Sequence, residues 1–218
     1  MNLYEKYRPA TLEQFIGNDK AIKRVSALFS RGLGGRAFWI SGPSGTGKTT
    51  LALIMAHAIA EDWSIHDADA GCFTPADLNK IEDYFRFHAM TAGEKDGHAL
   101  IVNEAHGLRK DTIRQFLLYL ERIPSHCIVV FTTTQEGQES LFEDKLDASP
   151  LLSRCIEINL SNLGLAPLFA SRAREIAQAE GLDGQPLEDY VKLARRCNNN
   201  MRMMLQEIDA GVRKVLEV

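Results

Sequence analysis

Hydrophobic positions along the first 160 residues switch repeatedly between two rhythms. Ala37-Phe38-Trp39-Ile40-Ser41, His98-Ala99-Leu100-Ile101-Val102 and His126-Cys127-Ile128-Val129-Val130-Phe131-Thr132-Thr133-Thr134 are short apolar runs of strand length. Weaker strands are expected around Trp63-Ser64-Ile65-His66 and at the end of Leu151 to Ile158. Between them the spacing becomes helical. Lys20 to Phe29 puts Ile22, Val25, Leu28 and Phe29 on one stripe, with Asn18 or Asp19 as its N-cap. Thr74-Pro75-Ala76-Asp77 opens a capped helix with Leu78, Ile81, Tyr84 and Phe85 inward. Lys110 to Ile123 turns Ile113, Phe116, Leu117 and Leu120 inward and Arg109, Lys110 and Arg114 outward, and Pro124-Ser125 ends it. Gln135 to Ser149 reads as an acidic, loop-like insertion. This alternation predicts an α/β fold with a mostly parallel five-stranded sheet flanked by helices.

From Ser161 onward only helical patterns remain. Leu165 to Glu180 carries Leu168, Ala173, Ile176 and Ala177 as its apolar positions, and Gly181 closes it. Pro186 opens a second helix near Leu187 to Arg196, and Asn198-Asn199-Asn200 turns into a third, Met201 to Ile208. The expected division is a nucleotide-binding core over 1–160 and a small helical lid domain over 161–218, hinged near Leu160 to Leu165.

The chemistry is concentrated after the first strand. Gly42-Pro43-Ser44-Gly45-Thr46-Gly47-Lys48-Thr49 fills every fixed position of the phosphate-loop pattern. It sits after a strand and before the Ala/Leu-rich helix that starts Thr50-Leu51-Ala52, as that pattern requires. The glycines let backbone N–H groups converge on phosphate oxygens, and the following helix adds the positive end of its dipole. Lys48 is placed for the β- and γ-phosphates and Thr49 for Mg²⁺. The motif implies a nucleoside triphosphate and leaves the base open.

A second strand ends in Asn103-Glu104-Ala105-His106, at the carboxyl edge where parallel sheets bind ligands. In phosphate-loop proteins this place holds an acidic residue serving Mg²⁺, often followed by a Glu that positions the attacking water. The first position here is Asn103, so the carboxylate expected to support the metal is missing. The plainer alternative is that both residues cap the next turn.

Composition adds limits. A hydrophobic fraction of 45%, a charged fraction of 25% and a net charge of −4 are ordinary for a soluble globular protein and give no global basic field. Nucleic-acid binding would need a local basic patch. Cysteines 72, 127, 155 and 197 form no C-x-x-C pair and fit buried thiols in a reducing cytosol. No apolar run reaches membrane-spanning length, and the N-terminus carries no signal-peptide core.

The opening Glu5-Lys6-Tyr7-Arg8-Pro9-x-Thr11-Leu12-x-x-Phe15-Ile16-Gly17, the phosphate loop, Ser153-Arg154-Cys155 and Asn200-Met201-Arg202 together resemble the AAA+ ATPases of the clamp-loader family. That family comprises replication factor C small subunits and the bacterial gamma subunit. The resemblance implies an AAA+ core with ATP and Mg²⁺ as cofactors. Tyr4 and Arg8 would line the adenine pocket, with Ile16 and Gly17 nearby, and Gly42 to Thr50 would hold the phosphates. Glu104 would be the catalytic base, Asn103 would serve the metal, and Thr134 (or Thr133) would be sensor 1. Arg202 would be sensor 2, and Arg154 an arginine finger acting on a neighbouring subunit's ATP. Arg154 can also be read as an ion-paired surface arginine, and Arg202 has a similar plain reading.

The implied partners are a sliding clamp, other clamp-loader subunits and primer–template DNA, in the cytoplasm of a bacterial, archaeal or phage-infected cell. Arg109, Lys110 and Arg114 lie where the family places a DNA-tracking helix. Apart from Asn103, two departures stand out. The chain ends where the family continues into a helical collar that holds the ring, which implies an oligomer in function and a monomer alone. The gamma subunit's four-cysteine zinc module is also absent. Two other expectations remain open: a regulatory or scaffold subunit with weak or no hydrolysis, and another AAA+ machine such as a helicase loader or branch-migration motor.

Overall fold

The computed structural model describes residues 1–90, 95–134, 148–182 and 184–211. Five strands form one sheet: β1 (Arg36–Ser41), β2 (Ile65–Asp69), β3 (His98–Asn103), β4 (Cys127–Thr133) and β5 (Cys155–Asn159). Their spatial order is β2-β3-β4-β1-β5, and every neighbouring pair is parallel. Period-two alternation divides the apolar runs between two cores. Phe38, Ile40, Ala99, Ile101, Ile128 and Val130 pack against α2 (Asp19–Phe29) and α3 (Lys48–His57). Trp39, Leu100, Val102, Val129 and Phe131 face α4 (Pro75–Tyr84) and α5 (Lys110–Tyr119). With both faces covered, the strands read as continuous apolar runs.

Register brings the functional ends together. Ser41 lies opposite Thr133 on one side and Asn159 on the other, and Asp69 lies opposite Asn103. The phosphate loop therefore leaves the sheet at the same edge as the ends of its neighbours.

After α6 (Ala148–Ser153) and β5, a bundle of α7 (Ala166–Ala179), α8 (Leu187–Arg196) and α9 (Met201–Asp209) has its own core, which includes Phe169, Ala173, Ile176, Leu193, Met204 and Ile208. That core also takes Leu3 from α1 (Leu3–Lys6), whereas Leu12 enters the core under α2 and α3. The N-terminal stretch before α2 thus straps the bundle to the sheet. Lys6 completes the attachment with an ion pair to Glu180 at 2.7 Å, and Tyr7 donates a short hydrogen bond to the same carboxylate.

Several local expectations need correcting. Tyr84 is 43% exposed, because it lies about 120° round the helix from Leu78 and about 100° from Phe85, off the inward stripe. Leu168 is 48% exposed for the same reason, and Phe169 takes the inward position. Helix α5 stops at Tyr119; Arg122 N–H turns back to the Tyr119 carbonyl, and Pro124 disfavours helical backbone at Ile123. Residues 62–64 form a 3-10 turn, and β2 starts only at Ile65. Asn18 occupies the N-cap of α2 but its side chain does not cap the helix; its Oδ1 accepts from Ser161 N–H at 2.7 Å instead. Cys127 and Cys197 are buried and Cys155 is half-buried, but Cys72 is exposed. Burial pushes the Cys127 and Cys155 thiols up to about 12. The expected acidic insertion lies outside the described residues as far as position 147, and Ala148 already begins α6.

At the amino edge of the sheet, His66 and His98 pack among aromatic rings, and burial holds both below the usual histidine value of 6.5. His98 is anchored by Ser64 and the Phe87 carbonyl, while the His66 Nε2 is buried with no hydrogen-bond partner among the described residues. A depressed folded-state value means that the unfolded chain binds more protons, so this stability is complete above about pH 6.5 and is lost on acidification. Melting curves from about pH 7.5 to 5.5 should therefore show a falling melting temperature. His66→Phe should keep the neutral-pH stability and flatten the fall; an unchanged slope would remove His66 from the account.

Candidate functional site

Residues 45 and 47 of the phosphate loop adopt φ of +76° and +95°, a region where a side chain is strained. Both are also close-packed. A Cβ on Gly45 would lie 2.0 Å from Asn200 Oδ1, and one on Gly47 would lie 2.7 Å from the Phe15 ring. The loop is therefore pressed by the bundle from one side and by the N-terminal strap from the other. Asn200 does two jobs there, since its Oδ1 also caps α9 by accepting from Met203 N–H at 3.1 Å.

Lys48 is buried, and its ammonium donates to the carbonyls of Gly42 (2.9 Å) and Pro43 (3.0 Å). Burial lowers its pKa; the Glu104 carboxylate opposes this shift and the Arg202 guanidinium adds to it. Thr46 Oγ1 donates to Pro43 O at 2.8 Å and tightens the same turn.

Beside Lys48, the hydroxyls of Thr49 (3.2 Å) and Thr132 (2.9 Å) both donate to Asn103 Oδ1. The amide nitrogen of Asn103 donates to Asp67 Oδ1 at 2.5 Å. Thr49 and Asn103 thus present two adjacent oxygens, the donor type that Mg²⁺ takes, at the end of the phosphate loop. Burial raises the Asp67 pKa, against the opposing effects of Arg8 and the Asn103 hydrogen bond.

Glu104 departs from the strand with φ +51° and ψ +48°, left-handed geometry that is uncommon for a residue with a side chain. The turn brings its carboxylate to 3.5 Å from His106 Nδ1, which in turn lies 3.2 Å from Thr133 Oγ1. Held strain of this kind clusters at working sites.

A cleft of about 120 Å³ opens on the other side of the loop. The strap supplies Tyr4, Tyr7, Arg8, Phe15 and Ile16, the loop supplies residues 45–47 and Thr50, and the bundle supplies Arg172 and Arg202. The Arg202 guanidinium lies 5.5 Å from the centre of the Tyr4 ring, a cation–π contact. Gly17 does not line the cleft but sits against Leu165, where an added Cβ would lie 2.3 Å from Cδ2. Pro43, Ser44 and Thr134 border a separate open cleft, of about 770 Å³, with Arg195 and Asn200. A further cavity of about 570 Å³ lies inside the bundle, away from the loop, where Lys192 and Asp189 are paired with each other at 2.7 Å.

The remaining predicted residues lie elsewhere. Arg154 precedes β5, whose far end, Asn159, pairs with Ser41; five residues at ~3.3 Å each set it roughly 16 Å along the strand from the start of the chain's own phosphate loop. Its guanidinium contacts Glu121 at 2.5 Å and the Pro150 carbonyl at 3.0 Å, and remains 33% exposed. Arg109, Lys110 and Arg114 are exposed around the start of α5. Sequence reading missed Asp67, Thr132, Asn200, Tyr7, Phe15 and Arg172. Tyr7 and Phe15 lay within the quoted opening pattern and Asn200 within the quoted Asn200-Met201-Arg202, but none was given a role there; Asp67, Thr132 and Arg172 carried no local signal.

The AAA family profile, "ATPase family associated with various cellular activities", matches residues 38–162, more than half of the chain. The chain belongs to the AAA family of ATPases. Its relatives include a replication factor C small subunit of Haloarcula marismortui, 26% identical across 82% of this AAA chain and 53% of the relative. They also include DNA polymerase III subunit gamma/tau of Mycoplasma genitalium, 26% identical across 94% of this chain and 36% of the relative. The AAA chain therefore spans about half the length of the first relative, and less of the second. Among solved structures, the Thermotoga maritima RuvB Holliday junction branch migration motor superposes with a TM-score of 0.70 at 23% identity, over 93% of this chain and 64% of that one. A gamma-subunit-related protein of Thermotoga maritima gives 0.58 at 14% identity, over 88% and 59% respectively. At these identities the likeness is one of fold. Among the described residues of this AAA protein, no helix is long and apolar enough to cross a membrane.

Gly45→Ala tests whether bundle and loop meet as closely as the geometry requires. The strained backbone and the collision with Asn200 should cost about 1–3 kcal/mol. Scanning fluorimetry should show a melting temperature several degrees lower, and an unchanged melt would mean that the contact is loose.

Proposed function

We propose that this AAA protein is an ATP-binding subunit of a DNA sliding-clamp loader, which couples ATP binding and hydrolysis to clamp opening and loading on primer–template DNA. The observation that carries this reading is the convergence of strap, phosphate loop and bundle on one cleft, in a chain whose relatives are replication factor C and DNA polymerase III subunits. Adenine enters between Tyr4, Arg8 and Ile16. The loop amides and Lys48 hold the phosphates, with the Lys48 ammonium moving from the Gly42 and Pro43 carbonyls to the β- and γ-phosphates. Thr49 and Asn103 would hold Mg²⁺, which when bound would supply charge neutralisation at the phosphate oxygens. Glu104 orients the attacking water and takes its proton, and Thr134 and Arg202 contact the γ-phosphate side. Residues 161–218 act as a lid that moves against 1–160 near Leu160 to Leu165 and reports nucleotide to neighbouring subunits.

Arg154 is too far along β5 to serve its own site. A partly exposed guanidinium at that distance fits a finger for the ATP of an adjacent subunit, released from Glu121 when the two meet. Arg109, Lys110 and Arg114 then face the DNA backbone. Asn103 favours a second reading, a regulatory subunit that binds ATP with little turnover, because an amide gives the metal less electrostatic support than a carboxylate.

Binding and turnover measured together, with Mg²⁺ and with or without primed DNA, test the proposal. DNA-stimulated hydrolysis is expected; tight binding without turnover at any protein concentration would favour the regulatory reading. Lys48→Ala should abolish measurable binding. Arg154→Ala should leave binding and melting nearly unchanged, since an exposed ion pair contributes little, and should cut assembly-dependent turnover by roughly 10³-fold. Single charge reversals at 109, 110 and 114 should each lower the salt slope of DNA affinity by about 1. Affinity and slope that ignore these changes would rule this face out as the DNA contact.

A further inference from the structure

The charge expected at the end of β3 is absent from residue 103, yet a carboxylate lies one side chain away. Asp67 and Asn103 stand on adjacent parallel strands, with Asp67 opposite Ile101 in the register and two residues short of Asn103. Residues 65, 67 and 69 of β2 and 99, 101 and 103 of β3 alternate onto the same face of the sheet, the one covered by α3, as Ile65, Ala99 and Ile101 show. Asp67 Oδ1 accepts from Asn103 Nδ2 at 2.5 Å. This bond uses the donor end of the amide, so Asn103 Oδ1 turns toward Thr49 Oγ1, 3.2 Å away, and Thr132 Oγ1, 2.9 Å away.

We propose that Asp67 is the positioning residue of the magnesium site: it supplies, through Asn103 and from the neighbouring strand, the negative charge that residue 103 lacks. This rests on the nucleotide-binding reading above. The argument has two parts. Geometrically, a charged acceptor locks the amide in the rotamer that presents oxygen, rather than nitrogen, beside Thr49. Electrostatically, a hydrogen bond from Nδ2 to a carboxylate polarises the amide and makes Oδ1 a better partner for a metal-bound water. Arg8 also acts on Asp67 electrostatically, so the carboxylate links the strap that lines the base cleft to the metal end of the site. The pair Asp67/Asn103 carries the same total charge as the inverted pair Asn/Asp, only displaced by one side chain.

Inverting the pair is the decisive experiment. Affinity for a fluorescent ATP analogue (mant-ATP) is titrated in EDTA and across a Mg²⁺ series for wild type, Asp67→Asn, Asn103→Asp and the double variant, with melting curves as the folding control. Asp67→Asn should bind the analogue in EDTA within about twofold of wild type and need roughly 10–100-fold more Mg²⁺ to reach half of its metal-dependent gain. The double variant Asp67→Asn/Asn103→Asp should restore the wild-type Mg²⁺ requirement to within about threefold, a rescue that a merely structural hydrogen bond would not give. A Mg²⁺-dependent wild type with an indifferent Asp67→Asn, or a double variant no better than Asp67→Asn alone, would overturn the assignment while leaving the nucleotide reading standing. A wild type that binds the analogue regardless of Mg²⁺ would also overturn the assignment alone, and one that binds no analogue would overturn both.

Discussion

The absence of side chains at positions 45 and 47 lets two remote parts of the chain close on the phosphate loop. Asn200 from the bundle and Phe15 from the N-terminal strap occupy the space that Cβ atoms would fill. The glycines are therefore doubly constrained: positive φ shapes the loop for anions, and bare Cα atoms admit neighbours at van der Waals distance. A nucleotide that presses on this loop presses on both contacts, so binding and the seating of the bundle share one set of atoms. That is the physical route by which a local ligand reaches a separate hydrophobic core.

Electrostatics around the loop are arranged with equal economy. Lys48 is buried, which lowers its pKa, and its ammonium donates to two carbonyls, with Glu104 supporting the charge and Arg202 opposing it. In the proposed nucleotide complex a triphosphate would relieve that opposition by giving both cations a shared anion. Glu104 holds left-handed backbone that few residues with a Cβ tolerate, and the turn it forces swings the following residues toward Thr133. Strain at this residue and desolvation at Lys48 are the two local costs the fold carries at its chemical edge.

Position along the sheet separates Arg154 from the residues gathered around the phosphate loop. Strand ends at the carboxyl edge collect residues 41, 69, 103 and 133, while Arg154 stands at the amino end of β5. In a parallel sheet these two edges are one strand length apart whatever the side chains do. A guanidinium there is committed to its own surface, where Glu121 holds it, or to another molecule.

Much of this was legible from the chain. Continuous apolar runs marked β1, β3 and β4 because strands covered on both faces need no polar side, and the phosphate loop was readable because its chemistry is local and contiguous. Helix faces were less secure: Tyr84 and Leu168 look apolar enough to be buried, but each lies off the inward stripe of its helix and is left exposed. The contacts of Asp67, Thr132 and Asn200 could not be read in advance. Each acts through a partner tens of residues away, brought near by parallel register or by the seating of the bundle, and such pairings leave no spacing in the sequence. The sequence alone determined that this chain has a triphosphate-binding loop on a strand–helix unit, because those residues need only their immediate neighbours. Tertiary structure decided what surrounds that loop, including which carboxylate stands beside Asn103, because register and packing are properties of the whole chain.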